Sequence, residues 1–224
     1  MAITRGNTTG IRGGTGTGTS ITWAFNSGSP GSNSYLVVGI FTFGQSTDTL
    51  TACTYAGTSM TKLATYGGTI QGCALVYYGV ANPTSGSNNV VITSSGSLSN
   101  PDIIGHVFED CSATQPNASA TNTEGSSSGA FSTSPTSTVA DTWGLLLTAD
   151  GNGGITGSTV TSIDGWTNDS GVQAWSSEAT LGTAGVEALT VTGANGGGRQ
   201  GLAILLAPFV ASARQNNLLT LGVG

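Results

Sequence analysis

The sequence predicts an all-β fold: an antiparallel β-sandwich, jelly-roll-like, with extended N- and C-terminal arms. Two observations carry that expectation. Only 7% of the 224 residues are charged, against a usual ~25%, so Ser, Thr, Asn and Gly must supply the polar surface. Thr suits a pleated strand and Gly and Asn suit tight turns, whereas the residues that fill solvated helix faces are scarce. In addition, apolar residues recur at period 2 in short runs broken by Gly and Pro, and no stretch reads as an amphipathic helix.

In chain order, residues 1–20 are a Gly/Thr tract around Gly10-Ile11-Arg12-Gly13-Gly14, too poor in apolar groups to offset its own ordering entropy. A mobile arm is expected there. From Ile21, the apolar Ile21, Trp23 and Phe25 alternate with Thr22, Ala24 and Asn26, the pattern of a half-buried strand. The cluster Gly28-Ser29-Pro30-Gly31 turns the chain into a near-continuous apolar strand, Tyr35 to Phe43. Further strands read at 49–55, 58–66, 69–80, Asn89 to Thr93 and Ile103 to Phe108. Residues 112–137 are Ser/Thr/Gly-rich with Phe131 as the main apolar anchor, and are expected to be a long surface loop or a segment ordered by a neighbour. Strands resume at Val139 to Thr148, then 158–163, 172–180, 186–193 and 200–209, before a tail over 211–224. The partition is therefore an arm over 1–20, one sandwich over 21–210 and a tail; two smaller domains are the fallback.

Three segments break the alternation. Leu36–Phe43, Trp143–Leu147 and Leu202–Leu206 are apolar on both faces, which a sheet with one face in water would not be. Something must cover the second face. Another part of the same chain could do it, or a neighbouring subunit in a homo-oligomer, with Ile11, Arg12, Leu218, Leu219 and Leu221 as candidate assembly contacts.

The chemical inventory is thin, and no enzyme, cofactor or metal is expected. Catalysis by a nucleophile and base wants a positioned pair, and His106 is the single histidine, inside a strand pattern. Glu109 and Asp110 are adjacent, so on one strand they face opposite ways and cannot share a glycosidic substrate. Asp150-Gly151-Asn152 has oxygen ligands at alternate positions but lacks the downstream Glu of a calcium loop. The glycines from Gly13 to Gly18 follow no strand and precede no Lys-Ser/Thr, so they are not a phosphate loop. Cys53, Cys73 and Cys111 lack metal spacing and read as buried thiols. A net charge of -6 without clustered cations excludes nucleic acid as a partner. No apolar run approaches a membrane span, and the start has no apolar signal core, so assembly in a cytoplasm is expected. Among the tryptophans, Trp23 and Trp143 read as core, while Trp166 and Trp175 lie by polar turns and are the candidates for a carbohydrate platform.

The segment Tyr35-Leu36-Val37-Val38-Gly39-Ile40, then Thr54-Tyr55-Ala56-Gly57-Thr58, then Val76-Tyr77-Tyr78 with Asn82-Pro83-Thr84-Ser85-Gly86, resembles a β-sandwich module of bacterial surface proteins and phage virion proteins. Trp143–Leu147 and Gly201–Pro208 look like closing strands of the same sandwich. The resemblance brings no catalytic residues. It implies a virion structural protein assembled in the host cytoplasm, most similar to capsid decoration (cement) proteins that bind capsid subunits, often as trimers. A tail, fibre or appendage protein with a carbohydrate- or receptor-binding sandwich is the alternative.

Overall fold

The computed structural model describes residues 2–11, 17–68, 72–99, 101–125, 129–151, 155–157, 159–167, 173–193 and 198–210; at 8–11, 156–157, 162–167 and 173–175 only the backbone is described. Every regular element among them is a strand, and every pairing is antiparallel.

The first half of the chain supplies β1 (Thr4–Ile11), β2 (Thr17–Asn26), β3 (Tyr35–Phe43), β4 (Leu50–Tyr55), β5 (Thr58–Ser59), β6 (Thr61–Gly67), β7 (Cys73–Ala81), β8 (Ser87–Ser99) and β9 (Asp102–Glu109). Their pairings are nested: β1 with β9, β2 with β8, β3 with β7, β4 with β5. A long hairpin folded over in this way deals its strand pairs alternately to two sheets, which is the jelly-roll wiring. The sheets have the orders β1-β9-β3-β7-β6 and β2-β8-β4-β5. Ala56 and Gly57, both with positive φ (49° and 79°), make the tight turn at the centre of the nest.

The second half repeats the wiring with β10 (Ala118–Glu124), β11 (Gly129–Thr133), β12 (Thr136–Ser137), β13 (Thr142–Asp150), β14 (Ile155–Gly157), β15 (Thr161–Thr167), β16 (Gln173–Leu181), β17 (Gly185–Val186), β18 (Leu189–Gly193) and β19 (Arg199–Leu206). Here β10 pairs with β19, β11 with β18, β12 with β17 and β13 with β16. The five-stranded sheet β10-β19-β13-β16-β15 matches β1-β9-β3-β7-β6 strand for strand, and β11-β18-β14 matches the first three strands of β2-β8-β4-β5, with β12-β17 as an added two-stranded ribbon. The molecule is two jelly rolls of the same topology in tandem.

The rolls stack back to back through their five-stranded sheets, giving four layers and three cores. Leu36, Val38 and Ile40 of β3 point into the first roll's own core with Trp23, Phe25, Tyr55 and Val90. The alternate residues Tyr35, Val37, Phe41 and Phe43 point the other way, into a central core shared with Leu145, Leu147, Leu202, Ile204 and Leu206. The residues of β13 and β19 that alternate with these, Leu146 and Ala203, join Phe131, Ile155 and Val191 in the second roll's core. At the centre of the seam β3 lies over β13, where Gly39 makes room for Leu147. A Cβ on Gly39 would stand 2.9 Å from Leu147 Cδ2. Around this point β9 lies against β16 through His106 and Ser176, and β7 against β19 through Gln200, which donates to the carbonyl of Cys73. Because β9 corresponds to β19 and β7 to β16, exchanging the rolls returns the same contacts. The seam thus has the logic of an isologous dimer interface inside one chain.

One open alternative is decided and three expectations are corrected. Of the two covers left open for the two-faced strands, the chain itself supplies it: β3 and β19 are buried along their whole length and β13 at all but Trp143. One sandwich over 21–210 becomes two. The arm over 1–20 is largely strand, since Thr4–Ile11 pairs with β9 and Thr17–Ser20 opens β2; an edge strand needs a hydrogen-bonding partner more than apolar side chains, and Ile3 anchors it in the central core. The 112–137 loop holds β10, β11 and β12. Its strands were invisible to hydrophobic alternation because β10 is an edge strand with no buried side chain. Arg12, Leu218, Leu219, Leu221 and the tail lie outside the described residues, and Ile11 is seen only as backbone opposite Ile103.

Candidate functional site

Strand alternation aims His106 of β9 and Ser176 and Glu178 of β16 into the seam, where hydrophobic packing would otherwise be continuous. His106 Nε2 lies 3.3 Å from Ser176 Oγ, and both residues are fully buried. Burial, with the positive charge of Arg5 adding to it, pushes the imidazole down to about 3. It is therefore neutral at ordinary pH. Serine, histidine and a carboxylate on facing strands match the residue types of a nucleophilic triad. Neither Ser176 nor His106 touches solvent, however, so this trio has no access to a substrate.

Glu178 is a hub. One carboxylate oxygen accepts from the Arg5 guanidinium, and the other accepts the indole N–H of Trp143 at 3.1 Å. Burial raises the Glu178 carboxyl, while Arg5 and the Trp143 hydrogen bond pull it back down. Trp143 is held on another side by Phe108, ring centroids 5.4 Å apart and tilted by 54°. Its indole is consequently fixed from two directions, and it is only half-buried.

What remains of the indole borders a cleft of about 240 Å³ at the rim of the seam, lined by Ala2, Ile3, Asp141, Thr142, Trp143, Thr180, Leu181 and Gly182. Asp141 is exposed and sits in the left-handed region at φ 56°, an arrangement that Asp tolerates better than most residues. The Thr142 hydroxyl is buried and has no hydrogen-bond partner among the described residues. On the Trp143 face the cleft thus combines an immobilised aromatic residue, the apolar Ile3, the Asp141 carboxylate and the Thr180 hydroxyl.

The other candidates are scattered. Glu109 accepts from the Gly31 N–H at 3.0 Å, and Asp110 occupies a turn at φ 58°, so they are structural. Asp150 ends β13 fully buried, 3.5 Å from Arg199 Nε, while residues 152–154 lie outside the described set. All three cysteines are free and buried. Trp23 is core, as expected. Trp166 and Trp175 fall on β15 and β16, opposite Ala174 and Gly165, and their side chains lie outside the described residues. Reading Trp143 as plain core missed the cleft. Its sequence signal was weak: Asp141-Thr142 at the start of an apolar strand, with Glu178 and Ile3 brought in from far away.

No protein-family model, no curated protein and no solved structure matches the chain. The functional argument rests on fold and chemistry.

Proposed function

We propose that the chain is a virion structural protein of the capsid-decoration kind. The observation that supports this reading is the back-to-back pair of jelly rolls: a self-contained rigid block whose apolar faces are internally matched and whose surface is rich in hydroxyls and poor in charge. Edge strand β10 is exposed, and it contains no Lys or Pro of the kind that blunts edges against pairing. Such an edge accepts an extended segment from another protein through main-chain hydrogen bonds. Because the apolar strands need no second copy to cover them, the proposed partner is a capsid lattice before it is the chain itself.

The test is occupancy on particles. Purified heads lacking the chain are incubated with it and separated on a density gradient. The proposal expects saturable binding to heads, and expects removal of 211–224, which carries Leu218, Leu219 and Leu221, to reduce it. The second reading, a tail or fibre protein, is favoured if the chain bands with tails; recovery with neither structure overturns both.

A further inference from the structure

Beyond a role in assembly, we propose that the cleft at the rim of the seam is a binding site for one ring of a neutral pyranose sugar, stacked on Trp143. The apolar C–H face of a hexose needs a flat, rigid carbon surface, and a ring that must be immobilised on binding gives back part of the energy as lost rotamer freedom. Trp143 is already immobilised by the Glu178 hydrogen bond and the Phe108 contact. With its N–H committed to Glu178, the rest of the Trp143 indole is ring carbon, and Ile3, packed in the same central core, lines the cleft with it.

Hydroxyl recognition needs fixed acceptors and donors beside that surface. Asp141 supplies a carboxylate and Thr180, paired with Trp143 across β13 and β16 and so on the same face, an exposed hydroxyl. At about 240 Å³ the cleft is below the ~300–1,000 Å³ of drug-sized sites. One sugar ring is the scale it suits, with the rest of a glycan outside.

The charges select for neutrality. Among the described residues the cation near the cleft is Arg5, engaged by Glu178, and the open charge in the lining is Asp141, which repels a sialic or uronic acid. A quaternary ammonium ligand calls for an aromatic cage, and Trp143 is the single aromatic lining the cleft among the described residues.

The experiment is a glycan array with the full chain, followed by calorimetric titration with the methyl glycosides of glucose, galactose, mannose and N-acetylglucosamine. The proposal expects binding to at least one neutral sugar, reduced about ten- to a hundredfold by Asp141→Asn, the worth of one charge-assisted hydrogen bond. Asn tolerates the same backbone conformation, so that variant keeps the fold. Trp143→Ala should abolish binding, with circular dichroism confirming a folded protein; Trp143→Phe, which keeps a ring, should retain part of it. Failure of every neutral sugar to bind overturns the proposal. So does binding that survives Asp141→Asn and Trp143→Ala but is lost in Trp166→Ala or Trp175→Ala, which would move the site. Because the readout is the purified chain and a sugar, it fails or succeeds independently of any particle.

Discussion

The first jelly roll fills its own core with Trp23, Phe25, Tyr55, Tyr78 and twelve or so aliphatic neighbours, while the second fills its core with Phe131, Leu146, Ile155, Leu189 and Val191 and admits a buried charge cluster at one end. There Arg199, fully buried, donates to the Gly129 carbonyl at 2.8 Å and lies 3.5 Å from Asp150 and 3.9 Å from Glu124. Gly193 leaves it space: a Cβ there would stand 3.0 Å from both Arg199 Cζ and Asp150 Oδ2. Two interiors so different in chemistry share the strand order of their five-stranded sheets. What specifies the topology is the nested pairing and the inward alternation along each strand, and the identity of the core residues sets stability afterwards.

The comparison breaks most visibly in the cores. Phe25→Ala and Phe131→Ala should each cost about 3–5 kcal/mol, with Phe25 the larger because it is enclosed by Trp23 and Tyr55. Denaturant unfolding followed by both tryptophan fluorescence and far-ultraviolet dichroism reads the loss. If the seam couples the rolls, each variant unfolds in a single shifted transition; two resolved transitions would show the rolls melting separately.

At the seam itself, the rolls differ at equivalent positions, since His106 lies opposite Val37 where Ile204 lies opposite Leu145. The unfolded chain holds an ordinary histidine near 6.5, whereas His106 in the fold is pushed down to about 3. The unfolded state binds more protons between those values, so stability falls as pH drops from 6.5 toward 3, by up to about 1.4 kcal/mol per pH unit. Glu178 acts with the opposite sign: its raised carboxyl holds a proton in the folded state above its ordinary 4.5, so its contribution declines as pH rises through that region. His106→Ile, which borrows the residue of the other roll, should remove the acid-side slope and leave the Glu178 component. Parallel pH profiles for the two proteins would contradict this account of the seam.

Gly39→Ala should destabilise by about 1–3 kcal/mol, since its Cβ meets Leu147, Ile104 and Tyr77 within 3.2 Å. Adding Leu147→Val should recover part of the loss. Strict additivity of the two changes in thermal melts would mean that β3 and β13 do not interlock there. The smallest effect belongs to the turn at the centre of the first nest, where Ala56 is held at φ 49°. Ala56→Gly should raise stability by up to about 1 kcal/mol, seen as a small increase in Tm, because a non-glycine residue bears strain in the left-handed region.

By itself the sequence determined that the chain is all-β, and it located the strands whose side chains alternate or are apolar throughout. It also showed that β3, β13 and β19 must be covered on both faces, because no strand exposes a second apolar face to water without a partner. Which partner covers them was a tertiary decision: the backs of two jelly rolls meet, and the contacts that join them, Gly39 with Leu147 and His106 with Ser176, span distances in sequence that no local pattern encodes. Edge strands β1 and β10 were decided in the same way, since a ladder of backbone hydrogen bonds leaves no trace in side-chain hydrophobicity. The Trp143 cleft belongs with them. Its tryptophan, its carboxylate hub and its apolar flank come from β13, β16 and the segment preceding β1, and only the stacking of the rolls makes them neighbours.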